Sequence, residues 1–275
     1  MAGDPVRCCG GLTEFLPVSS TGHLTLVERL LGLSIEDPGL TAFTAVIQLG
    51  AILAVLLYFW RDIARLGAAW GRGLFDPVAR SLPDHRLAWY VIVGSVPIGL
   101  VGFAARHVIA GPLRSLWVVA AGLLGWSVVM VVAERVSRRD RAEADLTLVD
   151  SLVIGLVQCL SLVPGVSRSG ATISAGLIRH LDRVAATRLA FLLGIPALVA
   201  AGAYEGVSEA PAITATVGWP STMVGLVVSF AVAYASVAWL LRFVTRHPIT
   251  VFIWYRVALG LVICALLVAG TVTAS

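Results

Sequence analysis

Two short polar segments interrupt an otherwise apolar sequence, and both carry side chains suited to phosphate chemistry. The first is GLTEFLPVSSTGHL (Gly11 to Leu24) and the second is CLSLVPGVSRSGATISAGL (Cys159 to Leu177). A glutamate, a histidine, an arginine and a run of hydroxyls are costly in hydrocarbon, so ionisable residues inside a membrane are candidates for function. The two segments also resemble one another, which indicates two halves facing a single site.

The second segment predicts an anion site. Arg168 presents a planar fork that matches phosphate oxygens, and Gly165 and Gly170 allow backbone to approach a ligand closely. A helix predicted to begin near Ala171 adds free N–H groups and a favourable dipole. Further hydrogen bonds come from the hydroxyls of Ser167, Ser169 and Thr172. The set favours an oxyanion, with phosphate the best match, over a simple helix N-cap whose arginine extends to the interface.

The first segment supplies complementary groups. Glu14, Ser20 and His23 bring a carboxylate, a hydroxyl and an imidazole within ten residues, and such groups hold a metal, activate a nucleophile or move a proton. Ser19 and Thr21 add two more hydroxyls. Alone, this run is also a common helix-cap pattern. It gains weight because the anion loop is predicted to meet it near the middle of the membrane.

Composition places these segments in a membrane protein. The chain is 58% hydrophobic and 13% charged, with a mean hydropathy of +0.91, outside the range of a soluble domain. The net charge of +4 comes with arginines clustered at helix ends, which membrane topology explains better than nucleic acid binding. We therefore expect a membrane environment and no nucleic acid partner.

The apolar stretches predict an all-α, polytopic membrane protein with six transmembrane helices and two re-entrant helical hairpins. Each span needs roughly 20 apolar residues. The predicted spans are Thr41–Phe59, Leu87–Ala105, Ser115–Ala133, Ala186–Tyr204, Ser221–Leu241 and Ile249–Gly270. The polar segments are interpreted as hairpins because unwound backbone at membrane depth must face protein or water.

The order of these elements predicts an inverted repeat within a single membrane domain, 1–275. The first repeat, 10–133, is a hairpin (10–33) followed by three spans, and the second, 147–270, is a hairpin (150–180) followed by three spans. The sequence echoes recur at a spacing of about 145 residues, as a repeat demands. Inverted repeats with broken helices place their binding site at the repeat interface, near the midplane.

Arginine placement predicts the orientation. If the first span runs from outside to inside, 14 of the 20 arginines fall in cytoplasmic connections, as the positive-inside rule requires. These are Arg61, Arg65, Arg72, Arg80, Arg86, Arg135, Arg138, Arg139, Arg141, Arg179, Arg183, Arg188, Arg242 and Arg246. Arg168 and Arg256 then lie within the membrane.

Four motifs resemble the bacitracin-resistance type of undecaprenyl-diphosphate phosphatase, a family of integral membrane enzymes of bacteria. They are GLTEFLPVSSTGHL, FTAVIQLGAILAV, PGVSRSGATIS and the Tyr255-Arg256 pair, in this order along the chain. The resemblance implies hydrolysis of undecaprenyl diphosphate to the monophosphate, which recycles the carrier lipid of cell-wall synthesis and gives bacitracin resistance. It also implies dependence on a divalent metal (magnesium or calcium), location in the bacterial plasma (inner) membrane, a site open to the outer face and a possible homodimer.

The resemblance also assigns roles to residues. Glu14 matches an acid linked to metal or catalysis, and Ser20 and His23 match a proposed nucleophile and its proton-transfer partner. The matches to the diphosphate-binding loop are Ser167, Arg168 and Thr172. Together, the predicted catalytic residues are Glu14, Ser20, His23 and Arg168, and the predicted metal ligand is Glu14. The predicted substrate contacts are Ser19, Thr21, Gly165, Ser167, Ser169, Gly170, Thr172 and Arg256. For Arg256, contact with phosphate and balance of a buried acid are equally favoured.

This chain departs from the family pattern at its start. The family has an acid or glutamine directly before Gly-Leu-Thr-Glu, on the same helical face as Glu14, where this chain has Gly10. The family's preceding apolar arm is replaced by nine residues, which we interpret as a mis-assigned start or a frame error. As written, the chain would leave Glu14 without that partner. An inactive or N-terminally truncated homologue is therefore one alternative, and a transporter or flippase of a phosphate-bearing lipid or anion without hydrolysis is another.

Several other polar residues have simpler interpretations. Gln48 and Gln158 lie on apolar helices, where a hydrogen bond between helices is the usual role. His85 and His107 lie in predicted loops or at span edges and are expected to be solvated.

Overall fold

The computed structural model describes residues 13–30, 38–110, 113, 115–208 and 219–273, and the regular elements among them are helical. The α-helices are α1 (Ser20–Leu30), α2 (Pro38–Tyr58), α3 (Trp60–Phe75), α4 (Pro83–Ala104), α5 (Arg106–Ala110), α6 (Leu116–Val136), α7 (Leu148–Gln158), α8 (Arg168–Ile178), α9 (Arg183–Ser208), α10 (Trp219–Phe243) and α11 (Val251–Val268). Gly10 and the arm predicted before it lie outside the described residues.

The described helices form a multi-pass membrane protein. Five of them, α4, α6, α9, α10 and α11, are long and apolar enough to cross a membrane, and a sixth span results if the bent pair Val46–Tyr58 and Trp60–Phe75 is counted as one. These helices overlap the six stretches predicted from the sequence, five of them as single helices and Thr41–Phe59 as the first half of the bent pair. A shorter apolar helix, Leu148–Leu162, leads into the second polar segment, where a hairpin arm was predicted.

Helix α3 differs from the sequence prediction, which treated residues 60–86 as a connection between spans. The chain bends by 68° between the two halves of the pair, and α3 then continues as an amphipathic helix. Its arginines alternate with apolar side chains at helical spacing. The apolar face, which includes Leu66 and Trp70, packs towards α4 and the core, whereas Arg65 pairs with Asp62 and Asp84. The sequence prediction overlooked this period because four charged residues interrupt the apolar side chains of α3.

One end of the bundle collects most of the ion pairs and is called here the arginine-rich face. Arg183 of α9 binds Glu134 of α6. Arg188, also of α9, binds Asp62 of α3 at 3.0 Å and Glu143 at 2.8 Å. These pairs bring together connections that arginine placement assigns to a single side of the membrane.

Asp150 anchors the start of α7, the predicted first arm of the second hairpin, at this face. Its carboxylate is fully buried and accepts hydrogen bonds from Arg141 (2.6 and 3.1 Å), Arg179 (2.7 Å) and Thr147 (2.7 Å). Burial opposes ionisation of Asp150, but these donors outweigh it and hold the pKa of the carboxyl well below its usual value. Thr147 in turn caps α7 by accepting from the Asp150 N–H, so the start of α7 is fixed by hydrogen bonds in both directions.

Candidate active site

Two loops form the candidate site and share a backbone conformation. The first loop leads into α1 and the second leads into α8. Ser19 and Ser167 each precede a helix, and both adopt a φ of 71°, which is uncommon for a residue other than glycine. Each serine caps the following helix through its Oγ, which accepts from Gly22 N at 3.4 Å and from Gly170 N at 3.3 Å. This cap satisfies a backbone donor that the helix leaves free. Each loop therefore ends by presenting the first turn of a short helix to the other loop.

The structure brings the two loops into direct contact. Ser19 Oγ also accepts from Gly165 N at 3.1 Å, and Ser167 Oγ donates to Leu16 O at 3.4 Å. Gly165 has a φ of +95°, and a Cβ there would lie 2.2 Å from the Val119 carbonyl oxygen. Only glycine therefore allows the second loop to pack this closely on α6.

Glu14 and Arg168 form the charged centre of the site. Arg168 Nη2 lies 2.5 Å from Glu14 Oε1, and Ser20 Oγ donates to Glu14 Oε2 at 2.6 Å. The Glu14 and Arg168 side chains remain 22% and 21% exposed, so a ligand has access to them. The Glu14 carboxylate thus binds both an arginine suited to phosphate and a hydroxyl suited to nucleophilic attack. The hydroxyl lies within the distance from the carboxylate that proton transfer requires.

His23 points away from that carboxylate. Its Nδ1 lies 2.7 Å from Ser19 O and its Nε2 lies 2.5 Å from the Tyr255 hydroxyl, and its ring stacks on Tyr255 with centroids 5.4 Å apart. Since a carbonyl only accepts, Nδ1 carries a proton, and in the neutral ring Nε2 accepts from Tyr255. Among the described residues, the partners of His23 are therefore Ser19 and Tyr255, and Ser20 is not one of them.

Arg256 lies beneath both loops. It is fully buried, and its guanidinium donates to Pro17 O at 3.1 Å and to Gly165 O at 2.9 Å, which are matching positions of the two loops. The same guanidinium also donates to Ser127 Oγ at 3.2 Å and to Gly122 O at 3.3 Å, both on α6. These carbonyls, and not a buried acid, balance its charge among the described residues. The geometry supports a positioning role for Arg256, and its direct contact with substrate stays a prediction.

The remaining predicted contacts differ in exposure. Thr21 is exposed at the start of α1, whereas Thr172 is fully buried and its hydroxyl donates back to Arg168 O at 2.8 Å. Ser169 lies 3.2 Å from Ser167 Oγ to Oγ and lines a cleft next to Glu14 and Arg168. Thr172 can therefore affect a ligand only through the Arg168 backbone, whereas Ser169 can contact a ligand in the cleft directly.

The cleft beside Glu14 and Arg168 has a cavity volume of ≈ 10 Å³, room for about one water molecule, and an apolar wall. Phe15 and Phe191 pack edge to face with centroids 5.8 Å apart, and Val55 of α2 lines the same side. The polar end and the apolar wall match the chemistry of a charged head and a hydrocarbon chain, and the cleft must widen to admit such a ligand.

Sequence reasoning missed two residues that position this site. Tyr255 appeared only as part of a motif, yet it engages His23; a tyrosine beside an intramembrane arginine was the available signal. Asp150 was not singled out, although the Thr-x-x-Asp spacing of a capping box marks it. Gln158 is fully buried, but within the described part of the chain its amide has no hydrogen-bond partner, so the expected bond between helices is not formed there.

The described donors fit a divalent ion only in part. The described residues contain no group of three His, Cys, Asp or Glu side chains placed to hold a metal, and the site offers one carboxylate, Glu14, with several hydroxyls. Mg²⁺ is often held by one or two carboxylates together with substrate phosphates. The donor set therefore suits an ion shared with a phosphate ligand better than one enclosed by protein.

Comparison with known proteins identifies the family of this chain. Residues 8–262 match the family described as bacitracin resistance protein BacA. The chain is 58% identical to undecaprenyl-diphosphatase 3 of Frankia casuarinae over 96% of this chain and 95% of that protein. It is 52% identical to undecaprenyl-diphosphatase of Cutibacterium acnes and 54% identical to that of Acidothermus cellulolyticus, each over 96% of this chain and 95% of the relative. The chain belongs to the BacA family of bacitracin resistance proteins.

Proposed function

We propose that this chain hydrolyses undecaprenyl diphosphate to undecaprenyl phosphate and inorganic phosphate. Family membership and the names of its relatives support the reaction. The observation that carries it in this chain is the Glu14 carboxylate, which holds both Arg168 and the Ser20 hydroxyl. Through this reaction the enzyme recycles the carrier lipid of cell-wall synthesis and contributes to bacitracin resistance.

Arg168 binds the diphosphate in this proposal. An incoming phosphate competes with Glu14 for the guanidinium, because both are anions that match its fork. Once the phosphate takes Arg168, the Glu14 carboxylate is left with the Ser20 hydroxyl as its partner. Arg168 then stabilises the charge on the transferred phosphoryl group, which is the main contribution a protein makes to this chemistry.

Glu14 accepts the proton released by the nucleophile. The 2.6 Å contact favours Ser20 as the group it activates, and a water molecule held by the same carboxylate is the other route. If Ser20 attacks, a phosphoserine forms, undecaprenyl phosphate leaves, and water later releases inorganic phosphate. The hydrogen-bonded pair of His23 and Tyr255 holds a proton at the edge of the first loop.

A divalent ion, magnesium or calcium, fits this site as a partner of the substrate. Glu14 would hold it together with phosphate oxygens, and the ion would supply charge neutralisation. Arg168 remains the protein's own cation at the phosphate, so the protein contributes to binding with or without the ion.

We further propose six spans and two re-entrant hairpins in an inverted repeat, with the site open to the outer face of the inner membrane. The matching backbone of Ser19 and Ser167 supports the repeat. The clustering of Arg141, Arg179 and Arg183 at a single end of the bundle supports its orientation.

The deciding experiment is phosphate release from undecaprenyl diphosphate by the purified 275-residue chain, with magnesium or calcium and with chelator. Release that chelator removes is the expected result. Symmetric loops at a repeat interface are also a transporter feature, so counterflow of the lipid in liposomes without phosphate release would favour transport instead. A folded, membrane-inserted chain with neither activity would indicate an inactive homologue, and Gly10→Glu would be the next variant.

A further inference from the structure

A groove at the arginine-rich face lies apart from the candidate active site. It runs between the C-terminal end of α6 and the N-terminal end of α11 and has a volume of ≈ 680 Å³. Its polar wall carries Glu134, Arg135, Arg139 and Arg183, and its other wall is mostly apolar. None of these residues takes part in the proposed hydrolysis, so the groove is available for a different ligand.

The polar wall of the groove carries a net positive charge. Glu134 is buried and already accepts from Arg183 at 2.8 and 2.9 Å and from Ile249 N at 2.9 Å, with Arg139 Nη1 at 3.6 Å. Three arginines therefore face one carboxylate. Arg135 is exposed and has no carboxylate partner within the described part of the chain. The groove thus attracts an anion, and Arg135 and Arg139 are the guanidinium groups with capacity to bind it.

The apolar wall indicates what else the anion carries. Trp254 is 82% exposed and Val251 is 48% exposed at the first turn of α11, and Val257 continues the same wall one turn further along. Tryptophan favours the membrane–water interface, where its ring lies at the level of the lipid headgroups. A small soluble anion would leave this apolar surface exposed, whereas the acyl chain of a lipid would bury it.

We propose that this groove binds an anionic phospholipid of the leaflet at the arginine-rich face. Arg135 and Arg139 contact the headgroup phosphate, and an acyl chain packs against Trp254 and Val257. The bound lipid bridges α6 and α11, the helices that supply the contacts around Arg256. This site is independent of the hydrolysis proposed above.

Lipid titration of the full chain tests the proposal. The protein, purified in a neutral detergent, is titrated with dioleoyl-phosphatidylglycerol or dioleoyl-phosphatidylcholine, and bound lipid is counted by native mass spectrometry. We expect preferential binding of phosphatidylglycerol. Arg135→Gln should weaken that binding about fivefold, which corresponds to about 1 kcal/mol for one cation near a lipid surface. Arg246→Gln is the matched control, since Arg246 is exposed near the same end without lining the groove.

The other arms separate a lipid from a simple anion. Trp254→Ala should weaken phosphatidylglycerol binding. Inorganic phosphate, which the active site can also bind, should affect the thermal unfolding of the parent chain and of Arg135→Gln equally. Equal losses in Arg135→Gln and Arg246→Gln, or protection by inorganic phosphate that Arg135→Gln removes, would overturn the proposal. Phosphate release by Arg135→Gln in neutral detergent should match the parent chain, so this test and the test of hydrolysis can fail separately.

Discussion

The two loops of the candidate site share a backbone and differ in chemistry. Ser19 and Ser167 have the same φ and the same cap, and Arg256 binds both loops at matching carbonyls. The next residue along is Ser20 in the first loop and Arg168 in the second. A symmetric scaffold thus places a candidate nucleophile and the cation proposed to bind the anion at equivalent positions, one from each half of the chain.

The asymmetry continues at Glu14. The position that corresponds to it in the second half is Leu162, so a single carboxylate serves both loops and contacts Ser20 and Arg168 together. Reaction chemistry needs one base and one phosphate cradle, and two copies of either would repel each other or leave a charge unpaired. The comparison predicts that variants in the differing residues lose activity, whereas variants in the shared residues lose stability.

The largest expected effect is on Arg168. Arg168→Ala should lower the rate of phosphate release by about a thousandfold, because electrostatic stabilisation of this kind is worth about 10²–10³ for a single donor and Arg168 is also the proposed substrate-binding residue. Arg168→Lys keeps the charge and loses the fork, so it should recover only part of the rate. Both are checked by phosphate-release kinetics, with size-exclusion profiles as the control for folding. Normal turnover in Arg168→Ala would refute the phosphate-loop assignment.

Glu14→Gln should have the next largest effect. Glutamine can still accept from Ser20 or Arg168 but no longer takes a proton, so the rate should fall about a hundredfold. The dependence of the rate on magnesium or calcium should weaken as well, because Glu14 is the carboxylate that the described part of the site offers to a metal ion. The measurement is phosphate release across a metal titration. If the dependence of the rate on metal concentration is unchanged, Glu14 is not a metal ligand. The fall in rate then tests its role as a base separately.

Much of the fold could be predicted from the sequence because its signals are local. Apolar stretches such as Ser115–Ala133 specify a helix by length and composition alone, and the structure places α6 there. The meeting of the two polar segments was also predictable, since a Pro–Gly break and hydroxyls at membrane depth require partners. Helix α3 was overlooked because its amphipathic period is masked by arginines.

Contacts between distant residues were not predictable in the same way. Arg168 has no acid near it in sequence, yet Glu14 lies 154 residues away along the chain and 2.5 Å away in space. His85 was expected to be solvated, but it is 7% exposed because it packs into the space left by Gly73. Arg256 drew attention as a charge in a span, and only the structure reveals that backbone carbonyls of both loops surround it.

Arg256→Lys tests the shared part of the scaffold. One ammonium group cannot reach Pro17 O and Gly165 O together with α6, so at least one buried carbonyl loses its donor, at a cost of about 2 kcal/mol. Thermal unfolding should therefore shift down, and the rate of phosphate release should fall with it while KM stays near the parent value. Arg242→Lys, at an exposed arginine of α10, is the control. A selective rise in KM for the Arg256 variant would instead favour direct contact with substrate.

The smallest effects belong to the paired serines, and they test whether the loops are equivalent. Ser19→Ala and Ser167→Ala should each cost about 1 kcal/mol of stability through the lost cap. Ser19 should be the more costly, because its second bond, accepted from Gly165 N at 3.1 Å, is shorter than the 3.4 Å bond that Ser167 Oγ donates to Leu16 O. Ser19→Gly and Ser167→Gly should cost less than the alanine variants, since glycine adopts a positive φ without strain. Thermal unfolding of the four variants measures the differences. Alanine and glycine variants of equal stability would mean that the φ of 71° stores no strain, and the likeness of the loops would then rest on their hydrogen bonds alone.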